Sequence, residues 1–259
     1  MDLRLDGRTV LITGASRGIG LAAAITLARE GCHVRLVARS AERLELAAAQ
    51  VRAAGARSCQ HLALDLGELD FATRIVKAFP EVDILVNNAG EIPGGSLFEV
   101  PEEKWRQSWD VKVYGYMQLT KAYYPRLTSV RGVVVNIIGV AGEMLDPDYI
   151  AGSVGNAALI AFTKAFGAAS ARDGVRVVGI NPGPVLTDRS INLLKARAAR
   201  RGSREDDWTQ LLVQYPMARM ATPQEIADAI AFLSSPVSGY TSGCVLNIDA
   251  GISNHNSIA

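Results

Sequence analysis

The feature that most constrains this chain lies near its start. The apolar run Val10-Leu11-Ile12-Thr13 leads directly into Gly14-Ala15-Ser16-Arg17-Gly18-Ile19-Gly20 and then into Leu21–Arg29, whose apolar residues fall at helical spacing. Strand, tight glycine turn and helix, in that order, make a binding unit for a pyrophosphate. The glycines let the backbone approach the phosphates, and the helix N-terminus offers unpaired N–H groups to their negative charge. A glycine pattern alone is weak evidence; its place at the first strand-to-helix junction makes it a dinucleotide site.

The rest of the chain repeats that rhythm. Short β-branched runs at Thr9–Thr13, Val34–Val37, Leu62–Leu64, Ile84–Val86, Gly132–Ile138, Val175–Ile180 and Val245–Ile248 predict seven strands. Helical spacing between them predicts helices over Ile19–Glu30, Ala41–Ala54, Glu102–Tyr123, Asn156–Ala171 and Pro223–Leu233. Such alternation predicts an α/β fold: a Rossmann-type, doubly wound, seven-stranded parallel sheet with helices on both faces, because each right-handed crossover must cover the sheet. With 259 residues and no break in composition, one domain is expected over residues 1–259. The stretch from Thr187 to Met220 interrupts the rhythm: it has no strand-like run, and it carries Lys195, Arg197, Arg200, Arg201 and Arg204, then Glu205, Asp206 and Asp207. It reads either as a solvated helical hairpin or as a lid over a ligand at about 187–220, its basic residues meeting an acidic substrate tail. Ser203 and Asp206 resemble a capping box, which predicts a second helix from near Arg204.

Lysine and arginine number 27 against 26 acidic residues, so electrostatics gives no reason to expect nucleic acid or an acidic membrane as partner. A small-molecule substrate is expected. Cys32, Cys59 and Cys244 stand singly in apolar runs, without the spacing of a disulfide framework or a zinc site, and read as buried thiols. His33, His61 and His255 show no ligand spacing, and no metal is expected. Met1-Asp2-Leu3-Arg4 runs into a strand pattern, and no stretch of about 18 uninterrupted apolar residues occurs, so a cytoplasmic protein is expected.

The second strand ends in Leu36-Val37-Ala38-Arg39-Ser40, where NAD would call for an acidic residue to hold the adenosine ribose hydroxyls. Arg39 stands there instead. With Arg17 of the glycine turn it offers two guanidinium groups to a 2′-phosphate, which favours NADP(H) over NAD(H).

With these residues in hand, the chain resembles the short-chain dehydrogenase/reductase family along nearly its whole length. Matching segments are the glycine turn, Asp65-Leu66, Asn87-Asn88-Ala89-Gly90, Asn181-Pro182-Gly183-Pro184-Val185 with Thr187, and Tyr240-Thr241-Ser242-Gly243. The resemblance implies that Gly14, Ser16, Arg17, Gly18, Ile19, Gly20, Arg39, Ser40, Asp65, Leu66, Asn88, Ala89, Gly90, Pro182, Gly183, Val185 and Thr187 bind the cofactor. Asp65 and Leu66 would lie near adenine, and Pro182, Gly183 and Thr187 at the nicotinamide. It also implies a homo-oligomer, a tetramer or dimer, built through the helices around Glu102–Tyr123 and Asn156–Ala171.

The family's chemistry uses a tyrosine, a lysine four residues later, a serine thirteen residues before the tyrosine, and an asparagine on the preceding long helix. Aligned on Asn156-Ala157-Ala158-Leu159 through Phe162-Thr163-Lys164, this chain has Asn156 at the lysine position, Gly152 at the tyrosine position and Gly139 at the serine position. Trp105–Lys112 places Lys112 at the asparagine position. Lysine and asparagine thus look exchanged, and both hydroxyls are missing. Lys112 either brings an ammonium to the nicotinamide ribose from the opposite wall or is an exposed helix residue. Tyr149 is a substitute acid if a cation stands near it, with Lys112 the one candidate at hand, or else a loop aromatic; Glu143, Asp146 and Asp148 share its loop. The expected function is an NADP-dependent oxidoreductase with an altered site, acting on a small carbonyl, imine or enone. The alternative is a non-redox protein of the same fold: a binding module, a lyase or cyclase, or an inactive subunit.

Overall fold

The computed structural model describes residues 1–200, 202 and 204–254. Seven parallel strands form one sheet: β1 (Thr9–Thr13), β2 (His33–Ala38), β3 (Ser58–Ala63), β4 (Ile84–Asn87), β5 (Val133–Ile137), β6 (Arg176–Pro182) and β7 (Val245–Ile248), in the order β3-β2-β1-β4-β5-β6-β7. The period of two along each strand divides the core into two layers. Val10, Ile12, Ile84, Val86, Val133 and Val135 pack on one face with α1 (Gly18–Arg29), α2 (Ala41–Ala53) and α8 (Pro223–Ser234). Leu11, Leu85, Val134 and Val177 pack on the other with α3 (Phe71–Ala78) and α5 (Gly115–Val130). Tyr116, Ile138, Leu159 and Ile160 form a smaller cluster that seats α6 (Ile150–Ser170). Each fully buried aliphatic side chain contributes about 1.5–3 kcal/mol.

Seven strands are present as expected, but β3 runs Ser58–Ala63 where Leu62–Leu64 was expected, because its partly exposed Ser-Cys-Gln-His start gives no apolar run; the other differences from the expected elements also have local causes. The helix expected over Glu102–Tyr123 is broken into α4 (Glu102–Trp109), a π-helical turn over Asp110–Tyr114, and α5. Apolar spacing does not report this change, because a π turn shifts the phase by one residue without altering composition. α6 starts at Ile150, six residues before the expected Asn156, since Gly152 and Gly155 dilute the periodic signal without preventing a buried helix. Helix α3 was not expected at all. Between Thr187 and Met220 lie α7 (Asp188–Arg200) and a 3-10 segment over Glu205–Gln214 where an α-helix was expected from near Arg204. Of the residues invoked there, Arg201 and Ser203 lie outside the described residues, as does His255. Lys195 pairs with Asp206 at 3.8 Å. Of the three thiols expected to be buried, only Cys32 is; Cys59 and Cys244 are half-exposed. Among the described residues, no helix is long and apolar enough to cross a membrane.

The strand order reverses direction between β1 and β4, so the connections leaving their C-terminal ends go to opposite faces of the sheet and leave a crevice between them. Both the glycine turn and Asn88-Ala89-Gly90 open onto that crevice.

Candidate active site

A groove of about 1580 Å³ runs along the C-terminal edge of the sheet. It is lined by Gly14, Ser16, Arg17, Gly18, Ile19, Arg39, Ser40, Asp65, Leu66, Asn88, Ala89, Gly90, Pro182, Gly183, Val185 and Thr187. All the residues expected at the dinucleotide are therefore on its wall except Gly20, which is buried within the first turn of α1. Backbone proximity explains the glycines. A Cβ on Gly20 would overlap the carbonyl of Gly14 and lie 2.6 Å from Asn88 Nδ2, and one on Gly14 would lie 2.9 Å from Ala89 Cα. The neighbouring loop is pinned to the same turn: Thr13 Oγ1 accepts from the backbone N–H groups of Asn88 and Ala89, both at 3.0 Å. Asn88 Nδ2 donates to the carbonyls of Thr13 and Gly14 at 2.9 and 3.3 Å. Helix α1 begins without a side-chain cap, so its first N–H groups are left for a ligand. Arg17 lies 3.8 Å from Asp188, and Arg39 3.3 Å from Glu91.

At the other end of the groove, the π-helical turn aims Lys112 inward. Lys112 is buried, correcting the alternative that it is an exposed helix residue. Its stem fits because position 90 lacks a side chain: a Cβ on Gly90 would lie 2.8 Å from Lys112 Cδ. Lys112 Nζ donates to the carbonyl of Ile138 at 2.5 Å and to Asn156 Oδ1 at 2.8 Å. Burial, with a smaller contribution from the charge of Arg189, pushes the Lys112 ammonium down to about 7. An ammonium has three N–H donors, so one remains for the groove. Gly139 sits beside this pair at φ +137°, a conformation that side-chain-bearing residues rarely adopt, and a Cβ there would lie 2.9 Å from Asn156 Nδ2. Lys112, Gly139 and Asn156, distant in sequence, thus share one wall.

Tyr149 and Gly152 are interlocked. At the N-terminus of α6, the Tyr149 ring overlaps the position that a Cβ on residue 152 would occupy. The cation at its hydroxyl is Arg189, not the expected Lys112: Arg189 Nη2 donates to Tyr149 Oη at 2.9 Å. The same guanidinium donates to the carbonyls of Gly90 at 3.2 Å and Ile92 at 3.1 Å, tying the first turn of α7 to the loop after β4. A guanidinium cannot accept a hydrogen bond, so the Tyr149 oxygen is the acceptor and its own proton stays available to another acceptor.

Sequence reasoning missed Arg189. It lies two residues beyond Thr187, in the segment whose basic residues were noted, but only the tertiary fold singles it out from its neighbours. Two other acids of the Tyr149 loop have partners: Glu143 Oε2 accepts from Asn247 Nδ2 at 2.6 Å, and Asp146 Oδ1 accepts from the backbone N–H of Asp148 at 2.9 Å. His33 Nδ1 lies 2.8 Å from Ser58 Oγ and His61 3.4 Å from Glu45, both away from the groove.

Residues 8–198 match the short chain dehydrogenase family. The chain is 33% identical over 255 residues to the 2-keto-3-deoxy-L-fuconate dehydrogenase of Xanthomonas campestris pv. campestris, an overlap covering 98% of this chain and 82% of that one. Among solved structures, the L-sorbose reductase from Gluconobacter frateurii complexed with NADPH and L-sorbose is similar with a TM-score of 0.90 at 29% identity, covering 98% of this chain and 100% of that one. An NAD+-bound xylitol dehydrogenase gives a TM-score of 0.87 at 27% identity, over 96% and 100% of the two chains. With its parallel sheet, its glycine turn and its groove at the strand-order reversal, the protein belongs to the short-chain dehydrogenase family and is an oxidoreductase of that type.

Proposed function

We propose that the protein is a dinucleotide-dependent oxidoreductase, NADP(H) favoured over NAD(H), that acts on a small carbonyl, imine or enone through an altered set of catalytic residues. Tyr149 takes the part that family resemblance gives to a tyrosine at position 152, and Lys112 takes the part of a lysine at position 156. The observation that carries this reading is the interlock at Gly152: the ring of Tyr149 fills the space a residue-152 side chain would enter.

The groove suits a dinucleotide, because its glycines admit a backbone-to-phosphate approach that a Cβ would block and its helix N-terminus is uncapped. Gly14, Ser16, Gly18, Ile19 and Gly20 would hold the pyrophosphate, and Asp65 and Leu66 the adenine. Arg17, Arg39 and Ser40 would hold the 2′-phosphate. The arginines' present partners do not prevent this, since exposed ion pairs contribute only about 0–1 kcal/mol and a phosphate offers better geometry. Asn88, Ala89 and Gly90 line the middle of the groove, and Pro182, Gly183, Val185 and Thr187 the nicotinamide end. The bound nicotinamide supplies or accepts the hydride, chemistry that no side chain here provides. Lys112, fixed by Ile138 and Asn156, directs its third N–H toward the ribose. Tyr149 gives its hydroxyl proton to the substrate oxygen as negative charge develops there, or takes it back in the reverse direction. Gly139 leaves room where a serine hydroxyl would stand.

We also assign residues 1–259 to one domain in which α7 and the following 3-10 segment act as a lid, and read the protein as a cytoplasmic homo-oligomer, tetramer or dimer. The non-redox alternative has no observation in its favour. Fluorescence titration of NADPH and NADH with wild type and Arg39→Ala, then a carbonyl, imine and enone panel with wild type and Tyr149→Phe, tests the reading. Expected are NADPH binding weakened by Arg39→Ala and turnover reduced about 10²- to 10⁴-fold by Tyr149→Phe. Absence of NADPH binding, or full turnover by Tyr149→Phe, overturns it.

A further inference from the structure

The positive charge at the substrate end of the groove is unbalanced. Arg17 and Arg39 each face a carboxylate, Asp188 and Glu91, on the two segments that Arg189 ties together. Arg189 is half-buried and donates only to neutral acceptors: two carbonyls and the hydroxyl of Tyr149. Lys112 is likewise held by a carbonyl and an amide oxygen. Among the described residues, no ion pair joins either group to an acid, and the charge of Arg189 disfavours that of Lys112. A half-buried guanidinium and a buried amine, both held by neutral dipoles, form a site that an anion would complete.

We infer that the substrate is a 2- or 3-oxo acid whose carboxylate is read by Arg189. Three of the five guanidinium N–H donors meet the acceptors above, which leaves donors for an incoming carboxylate. Tyr149 links this donor to the chemistry: with its hydroxyl 2.9 Å from Arg189, a short oxo acid can meet both groups at once, and we take that as the substrate class. Pro93, Leu186 and Leu193 also line the groove and would take the remainder of a short carbon skeleton. The inference rests on the reductase reading for the fate of the carbonyl but not for the recognition of the anion.

The test is calorimetric titration of the NADPH-saturated protein with a series of C4 to C6 2- and 3-oxo acids, each paired with its neutral primary amide, alongside turnover of the same compounds. Wild type should prefer the acids by at least about 10-fold, the usual weight of one charge-assisted hydrogen bond. Arg189→Met should abolish that preference, Arg189→Lys should restore part of it, and Tyr149→Phe should keep acid binding while losing turnover. NADPH titration and thermal melts of each variant separate this effect from misfolding. Equal binding of acids and amides by wild type overturns the inference, as does an Arg189→Met variant whose only loss is in NADPH affinity, which would assign the guanidinium to the dinucleotide phosphates. Acids that bind through Arg189 but are never reduced leave the anion recognition standing and overturn the assignment of the oxo acid as substrate, whereas the reductase reading fails only if the wider carbonyl, imine and enone panel is also untouched.

Discussion

The two ends of the groove are built by different means. At the glycine turn, the backbone is held fast: Thr13 Oγ1 and Asn88 Nδ2 bond main-chain groups across the turn, and Gly14 and Gly20 have neighbours too close for a Cβ. At the other end, side chain meets side chain: Lys112 on Asn156, Tyr149 over Gly152, and Arg189 on Tyr149. A backbone lattice tolerates little substitution, because nothing in it can rotate away. A side-chain cluster can exchange its members, provided that each change is answered by another.

Substitutions that add atoms at each end break or sharpen this contrast. The largest effect is expected for Gly20→Ala, whose methyl group meets the Gly14 carbonyl: a stability loss of about 3 kcal/mol or more and loss of NADPH binding, with no rescue by a second change. Denaturant titration and fluorescence binding check it. Asn156→Lys comes next. It places a second ammonium against the buried Lys112 and should cost about 3–5 kcal/mol, most of it recovered in the double variant with Lys112→Asn, as chemical denaturation at pH 6 would measure. Gly152→Ala should cost about 1–3 kcal/mol by forcing the Tyr149 ring aside. Because the obstacle is a movable side chain, adding Tyr149→Ala should recover the loss, a coupling that Gly20→Ala lacks.

The smallest effect depends on pH. Folding lowers the Lys112 ammonium from its ordinary value to about 7, chiefly through burial. Between pH 7 and about 10.5 the unfolded chain therefore binds a proton that the folded chain does not, and stability rises with pH across that window. Below pH 7 both states carry the proton and the cost of the buried charge is fully present. Lys112→Met should accordingly raise the melting temperature most near pH 6, with the gain shrinking toward pH 10. A gain independent of pH would mean that Lys112 is not buried as a charge.

The same contrast explains what could be read in advance. The strands were legible because buried parallel strands are continuous β-branched runs, and the glycine turn because its function requires adjacent residues in one order. Lys112 and Asn156 were legible as candidate site residues, but their contact was not. The π turn over Asp110–Tyr114 that aims Lys112 inward has no compositional signature, and α3 is too short for its periodicity to stand out. The partner expected for Tyr149 was the wrong cation, because Lys112 was the nearest candidate by role, whereas Arg189 arrives from a helix 40 residues further on.

By itself, then, the amino-acid sequence determined the sheet, the longer helices that cover it and the glycine turn, since each depends on period, propensity or adjacency within a short segment. Only the tertiary structure decided that Lys112 is buried on Asn156, that Tyr149 occupies the space above Gly152, and that Arg189 meets Tyr149 without a carboxylate. Those contacts join loops and helix ends that meet on one groove, and their geometry is set by how the elements pack, which no local pattern encodes.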